Sequence, residues 1–147
     1  MAEIIYKQES YNIISVCLNV YNTLGMGFLE AVYKDAIEHE FRKREIKYER
    51  EKSFDIKYKD VILSHKYRAD FIVYDKIILE IKSKTMLPIA SFRQTLNYLA
   101  VSKYKLGIIV NFGESSLKYK RVVLWTKFVK FVLYCDSHFV LRQFSFV

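Results

Sequence analysis

Charged residues set inside apolar runs carry the chemistry of this chain. Asp70 lies in Tyr67-Arg-Ala-Asp-Phe-Ile-Val-Tyr74, and Glu80 and Lys82 lie in Ile77-Ile-Leu-Glu-Ile-Lys82. A charge in such surroundings is costly unless it is paired or holds a metal. Both runs read as strands joined by a tight turn at Asp75-Lys76. Side chains alternate across a strand, so Glu80 and Lys82 share one face, and Arg68 and Asp70 share one face of the neighbouring strand. With the register aligned, Asp70, Glu80 and Lys82 converge. Two carboxylates with a backbone carbonyl and waters make a hard oxygen site suited to Mg²⁺ or Mn²⁺. Such a cation polarises a phosphate oxygen and acidifies a bound water, and Lys82 positions that water or stabilises the charge that develops. Metal-assisted phosphodiester cleavage is the chemistry implied; the competing reading is a structural ion pair at the sheet edge.

The tripeptide acid-x-Lys occurs three times, as Glu45-Ile-Lys47, Asp55-Ile-Lys57 and Glu80-Ile-Lys82. The first two lie in charged surroundings and read as solvated faces. Only the third follows an apolar run with an aspartate ten residues upstream. Gln94 and Tyr98 are four apart on the next helix and so share a face, which is either aimed at the strand exit or an ordinary polar stripe. Glu30 and Tyr33 open an earlier helix just after Gly27. Glu30 there either favours the positive helix end or serves as a third acid for the metal. Lys66, Arg68, Lys84 and Arg93 are phosphate-contact candidates, with ordinary solvated charge as the alternative. His39, His65 and His138 lack metal-ligand spacing, and Gly25-x-Gly27 lacks the rest of any phosphate-binding loop.

These residues must be positioned by an α/β framework. Helices are expected at residues 10–24, with Ile14, Cys17, Leu18 and Tyr21 inward, and at 29–44, with Leu29, Val32, Tyr33, Ala36, Ile37 and Phe41 inward. Strands follow at 54–58, 61–74 (long enough to bend or bulge) and 77–83, with a turn at Lys59-Asp60. The third strand is nearly continuously apolar and is expected to be covered on both faces. Pro88 suits the start of a helix that runs to Ser102 with Phe92, Leu96, Leu99 and Ala100 inward. Strands at 106–112 and 121–125 complete a mixed sheet flanked by helices. The aromatic-rich tail, 126–147, reads either as a hairpin turning near Asp136-Ser137 or as a helix followed by a strand. It is a packed extension or a homodimer contact.

At 147 residues the chain is expected to form one domain, 1–147. A hydrophobic content of 52% with 27% charged residues excludes a disordered chain. The formal net charge of +8 favours an anionic partner such as nucleic acid. No apolar run approaches the roughly 18 residues of a membrane span, the N-terminus is not a signal peptide, and two distant cysteines make neither a zinc pattern nor a disulfide framework. A cytoplasmic protein is expected.

Gly27-Phe-Leu-Glu30-Ala-Val-Tyr33 resembles the signature of the GxxExxY proteins, a branch of the PD-(D/E)XK nuclease superfamily. The resemblance runs from about residue 10 to Trp125 through Asp70, Glu80-x-Lys82, Gln94-Thr-Leu-Asn-Tyr98 and Gly107-Ile-Ile-Val-Asn-Phe-Gly113. It implies a restriction-endonuclease-like α-β-β-β-α-β core and a divalent metal, Mg²⁺ or Mn²⁺. It further implies Asp70 and Glu80 as metal ligands with Glu30 as an additional acid, and Lys82 as catalytic lysine. Gln94 and Tyr98 match the Gln-x-x-x-Tyr pattern of the RecB-like branch, where both flank the metal and contact nucleic acid. The family's proline before the catalytic aspartate is replaced by Ala69, and the tail after Trp125 lies outside the pattern. The function expected is metal-dependent hydrolysis of nucleic acid, DNA before RNA; the alternative is a catalytically silent module of the same fold that binds nucleic acid or a protein.

Overall fold

The computed structural model describes residues 4–124, 130–135 and 138–143. In chain order these form α1 (Lys7–Leu24), α2 (Glu30–Lys43), β1 (Tyr48–Tyr58), β2 (Val61–Val73), β3 (Ile77–Lys82), α3 (Ile89–Ser102), β4 (Leu106–Asn111), β5 (Lys118–Val123), β6 (Lys130–Cys135) and β7 (His138–Gln143). The strands make one sheet in sequence order, β1 to β7. Every neighbouring pair is antiparallel except β3 and β4, which are parallel. A parallel pair needs a crossover, and α3 supplies it. The architecture is the expected restriction-endonuclease-like core, with helices on both faces of a mixed sheet.

Two apolar clusters lie on opposite faces. On one, α1 and α2 bury Ile13, Val16, Val20, Tyr33, Ile37 and Phe41 against Phe71, Leu79, Ile81 and Ile108. On the other, Leu96 and Leu99 of α3 pack with Tyr67, Ile72, Ile78, Ile109 and Val122. Covering on both faces explains why β3 reads as an unbroken apolar run. Tyr33 stacks on Phe112, with ring centroids 4.3 Å apart, and anchors α2 to the end of β4.

Several helix faces differ from expectation. Leu18, Leu29 and Val32 are exposed, whereas Ile13, Val16 and Val20 are buried. On α3, Ala100 is exposed and the polar Ser91 and Thr95 face the sheet. The reason lies in β4: a Cβ at Gly107 would fall 2.5 Å from Thr95 Cγ2. The helix sits so close that small residues line the contact, and Thr95 satisfies its hydroxyl by donating to the Ser91 carbonyl at 3.0 Å. β1 begins at Tyr48, six residues earlier than the alternation at Phe54 suggests. The turn before β3 is centred on Tyr74 and Asp75, both at positive φ, as a tight hairpin requires. The tail adopts the hairpin alternative as β6 and β7; its expected turn, Asp136-Ser137, lies outside the described residues.

β3 and β4 leave the sheet side by side. The Phe112 N–H donates to the Lys82 carbonyl at 2.8 Å, and a Cβ at Gly113 would collide with the backbone of Lys84. Gly113→Ala is therefore expected to lower stability by about 1–3 kcal/mol through overpacking. Urea denaturation checks this; an unchanged midpoint would show that the two exits have room to separate.

Candidate active site

β2 pairs with β3 only at Phe71↔Leu79, Ile72↔Ile78 and Val73↔Ile77. The next positions in that register are Asp70 and Glu80, and there the ladder opens. β2 continues away with β1 as a two-stranded ribbon whose tip, Lys59-Asp60, is exposed. The alternation of β2 slips at the same point. Tyr67 and Ala69 face the α3 side, whereas Phe71 and Val73 face the α1–α2 side. Asp70 stands at this slip and turns an oxygen toward Lys34 of α2.

The opening leaves the N–H of Ile81 without a strand partner, and Asp70 supplies one: its Oδ2 accepts that N–H at 2.8 Å. Its Oδ1 accepts from Lys34 Nζ at 3.1 Å. Glu80 lies beside it, 4% exposed. The Glu80 Oε1 accepts from the Tyr67 hydroxyl at 2.9 Å and from the Asp70 N–H at 3.3 Å. Burial first, and the Asp70 charge second, push the Glu80 carboxyl up to about 8; the Tyr67 hydrogen bond and the Lys82 charge pull the other way.

Gln94 and Tyr98 do face this pair. Gln94 Oε1 accepts from Lys82 Nζ at 3.4 Å, and a Gln94–Tyr98 hydrogen bond joins the two helix residues. The Tyr98 ring stacks on that of Tyr67. Burial, with the charges of Glu80 and Asp70, pushes the Tyr98 hydroxyl up to about 12. Lys82, Gln94, Tyr98, Tyr67, Glu80 and Asp70 thus form one connected cluster.

Glu30 stands beside the cluster rather than in it. Its carboxylate accepts the Ser83 N–H at 3.2 Å, and the Ser83 hydroxyl donates to the Phe28 carbonyl at 2.8 Å. Among the described residues no three His, Cys, Asp or Glu side chains come close enough to share a metal ion. The buried Asn111 holds the next residue: its side-chain amide accepts from the Lys84 N–H at 2.9 Å and donates to the Lys84 carbonyl at 2.8 Å. The end of β3, which carries Lys82, is clasped from both sides. Lys84, Arg68 and Arg93 are exposed, and Lys66 pairs with Asp55 on the ribbon at 2.9 Å.

Two neighbouring carboxylates at the mouth of a partly desolvated fork, one of them pushed toward its protonated form by burial first and by the other's charge second, form a donor set that fits a hard divalent cation. The family model described as the PD-(D/E)XK nuclease superfamily matches residues 7–122. The chain belongs to the PD-(D/E)XK nuclease superfamily.

A solved structure titled "Crystal structure of SSO0001" is similar in fold to this PD-(D/E)XK domain, with a TM-score of 0.53 at 19% identity over 80% of this chain. The chain spans 59% of that one. No curated protein matches. No helix among the described residues is long and apolar enough to cross a membrane.

Three residues that the structure adds to this cluster and its surroundings were not found from the sequence. Tyr67 was readable only as an apolar strand residue. Lys34 lies four residues after Glu30, on the same helix face, a spacing that was available. Glu51 shares Lys34 with Asp70 across the β1–β2 pair, which no local pattern reveals.

Glu80 sets a pH dependence. The unfolded chain releases the Glu80 proton near 4.5, whereas the folded protein keeps it to about 8. The folded state binds the extra proton in that window, so metal-free stability falls as pH rises through it and levels off above. Glu9 and Glu38 act oppositely, being held low chiefly by hydrogen bonds from Lys76 and Arg50. The measurement is therefore the difference between the native protein and Glu80→Gln in EDTA. The variant should gain relative stability as pH rises from about 4.5 to about 8; parallel profiles would show that Glu80 ionises normally.

Proposed function

We propose that this PD-(D/E)XK domain is a metal-dependent nuclease acting on nucleic acid, with DNA as the substrate. The observation that carries the reading is the opening of β2 from β3 at Asp70 and Glu80, with Lys82, Gln94 and Tyr98 joined around it. Asp70 and Glu80 would hold Mg²⁺ or Mn²⁺, which when bound supplies charge neutralisation and an acidified water. Lys82 Nζ, steered by Gln94, places a positive charge where the attacked phosphate gains negative charge. Gln94 fixes both Lys82 and Tyr98, so the three polar groups face the phosphate as a unit. Tyr67 holds Glu80 in place. The exposed Arg68, Lys84 and Arg93, with Lys66 further out on the ribbon, are suited to phosphate contacts, in keeping with the +8 charge.

The same geometry supports the GxxExxY branch. Gly27 has φ 105°, which favours glycine. The Tyr33 hydroxyl donates to the Gly25 carbonyl at 2.7 Å and accepts from the Phe28 N–H at 3.2 Å. Glu30, at the helix start, reaches Ser83. The three residues of the signature knit the α1–α2 loop to the β3 exit, and through it to Lys82. In this reading Glu30 acts on the site as the acid that fixes the strand end.

The test is cleavage of a panel of single- and double-stranded DNA and RNA with Mg²⁺, Mn²⁺ or EDTA. Cutting is expected with metal and none with EDTA. Asp70→Asn and Glu80→Ala should abolish it with the fold retained, and Lys82→Ala should lower the rate by about 10²–10³-fold. Gln94→Ala and Tyr98→Phe should reduce cleavage, by up to about 10²-fold for Gln94→Ala, with less effect on metal binding. Salt-sensitive binding without cutting under any condition would favour the silent nucleic-acid-binding module instead.

A further inference from the structure

Both oxygens of Asp70 are engaged. The Ile81 N–H holds Oδ2 and Lys34 holds Oδ1. Lys34 has a second anion, Glu51, whose Oε1 lies 2.6 Å from the same Nζ. Lys34 and Asp70 are both mostly shielded from solvent at their side chains, at 16% and 17% exposure, while Glu51 is more open at 38%. Burial disfavours the charge on Lys34, yet Glu51 and Asp70 together keep its pKa above the ordinary lysine value. The ammonium is a resident cation, bridging an inner and an outer carboxylate.

Glu51 is unusual in its backbone. It lies inside β1, at the unpaired position between Arg50 and Lys52, and has φ 55°, the left-handed conformation that a non-glycine residue seldom adopts. Glu51 falls between the paired positions Arg50↔Phe71 and Lys52↔Ala69, as Asp70 does on β2, and Lys34 joins the two carboxylates. Strain of this kind persists where the surroundings enforce it, and here the strained residue is the one that offers Lys34 an alternative partner.

We infer that Lys34 is a built-in counter-cation of the site, which neutralises Asp70 when no metal is bound and withdraws onto Glu51 when a divalent cation takes Asp70 Oδ1. This rests on the reading of Asp70 as a metal ligand. Lys34 is then a positioning residue that sets metal affinity by competition, and Glu51 assists metal binding only through Lys34. The ammonium moves between two carboxylates without bond making or proton transfer.

Calorimetric titration with Mn²⁺, without nucleic acid, tests this on the native protein and on Lys34→Met, Glu51→Gln and the double variant. Lys34→Met should tighten Mn²⁺ binding about tenfold, and Glu51→Gln should weaken it about tenfold, the lower end of outer-shell effects on metal affinity. The double variant should match Lys34→Met, because Glu51 has no role once the ammonium is gone. Equal or weaker binding by Lys34→Met would overturn competition. A persistent effect of Glu51→Gln in the Lys34→Met background would make Glu51 a direct ligand and overturn the hand-over. Native protein that binds Mn²⁺ while the variants leave affinity unchanged sinks only the Lys34 inference. Failure of both native protein and Lys34→Met to bind sinks the metal reading and the inference together, whereas binding by Lys34→Met alone supports the competition.

Discussion

The site depends on an unmade strand pair. Where β2 parts from β3, a backbone N–H that the ladder would have satisfied is left at Ile81, and a buried donor without a partner costs about 1–3 kcal/mol. Asp70 removes that cost by turning its carboxylate into the fork. One oxygen is thereby fixed by the main chain, so the position of the acid is set by the sheet rather than by side-chain rotamers. Glu80, opposite in register, returns the arrangement by accepting the Asp70 N–H. The parting of the strands and the placing of the acids are one structural event.

Around this fork the fold invests in rigidity at one place, the end of β3. Asn111 from β4 and Glu30 from α2 fix the main chain of Lys84 and Ser83, and Gly113 lets the two strand exits touch. Lys82 immediately precedes this clasp, so its long side chain starts from a fixed point and ends against Gln94. Glu51 shows the opposite use of conformational energy. A left-handed non-glycine residue stores strain of about 1–3 kcal/mol, and the local irregularity of β1 and β2 places it beside Asp70.

The central acids were legible because a charge in an apolar run has few innocent explanations, and Asp70, Glu80 and Lys82 each interrupt or end one. The α3 crossover was legible from its length between two buried strands. Which side of α1 and α2 is buried was harder to read: Leu18, Leu29 and Val32 belong to apolar periodicities as good as those chosen, and only the shape of the sheet decides between them. Gly107 likewise decides α3, admitting Thr95 to the buried face while Ala100, expected inward, is exposed. The start of β1 was hidden because Tyr48–Ser53 is rich in charge. Lys34 and Glu51 acquire meaning only through register and helix placement, which lie outside any local window.

The β1–β2 ribbon has a consequence for how such a scaffold can change. Beyond Phe54 and Tyr67, which stack at its base, the residues at 57–66 are exposed throughout. No packing constraint from either apolar cluster reaches them, so their length and chemistry are free to drift at little cost to the core. Yet the same strand, followed inward, ends in Asp70. The protein joins a segment free of packing constraint to a residue held by the main chain of the next strand through a few residues of β-strand, so new surfaces can be tried at the tip while the acid at the root stays where it is.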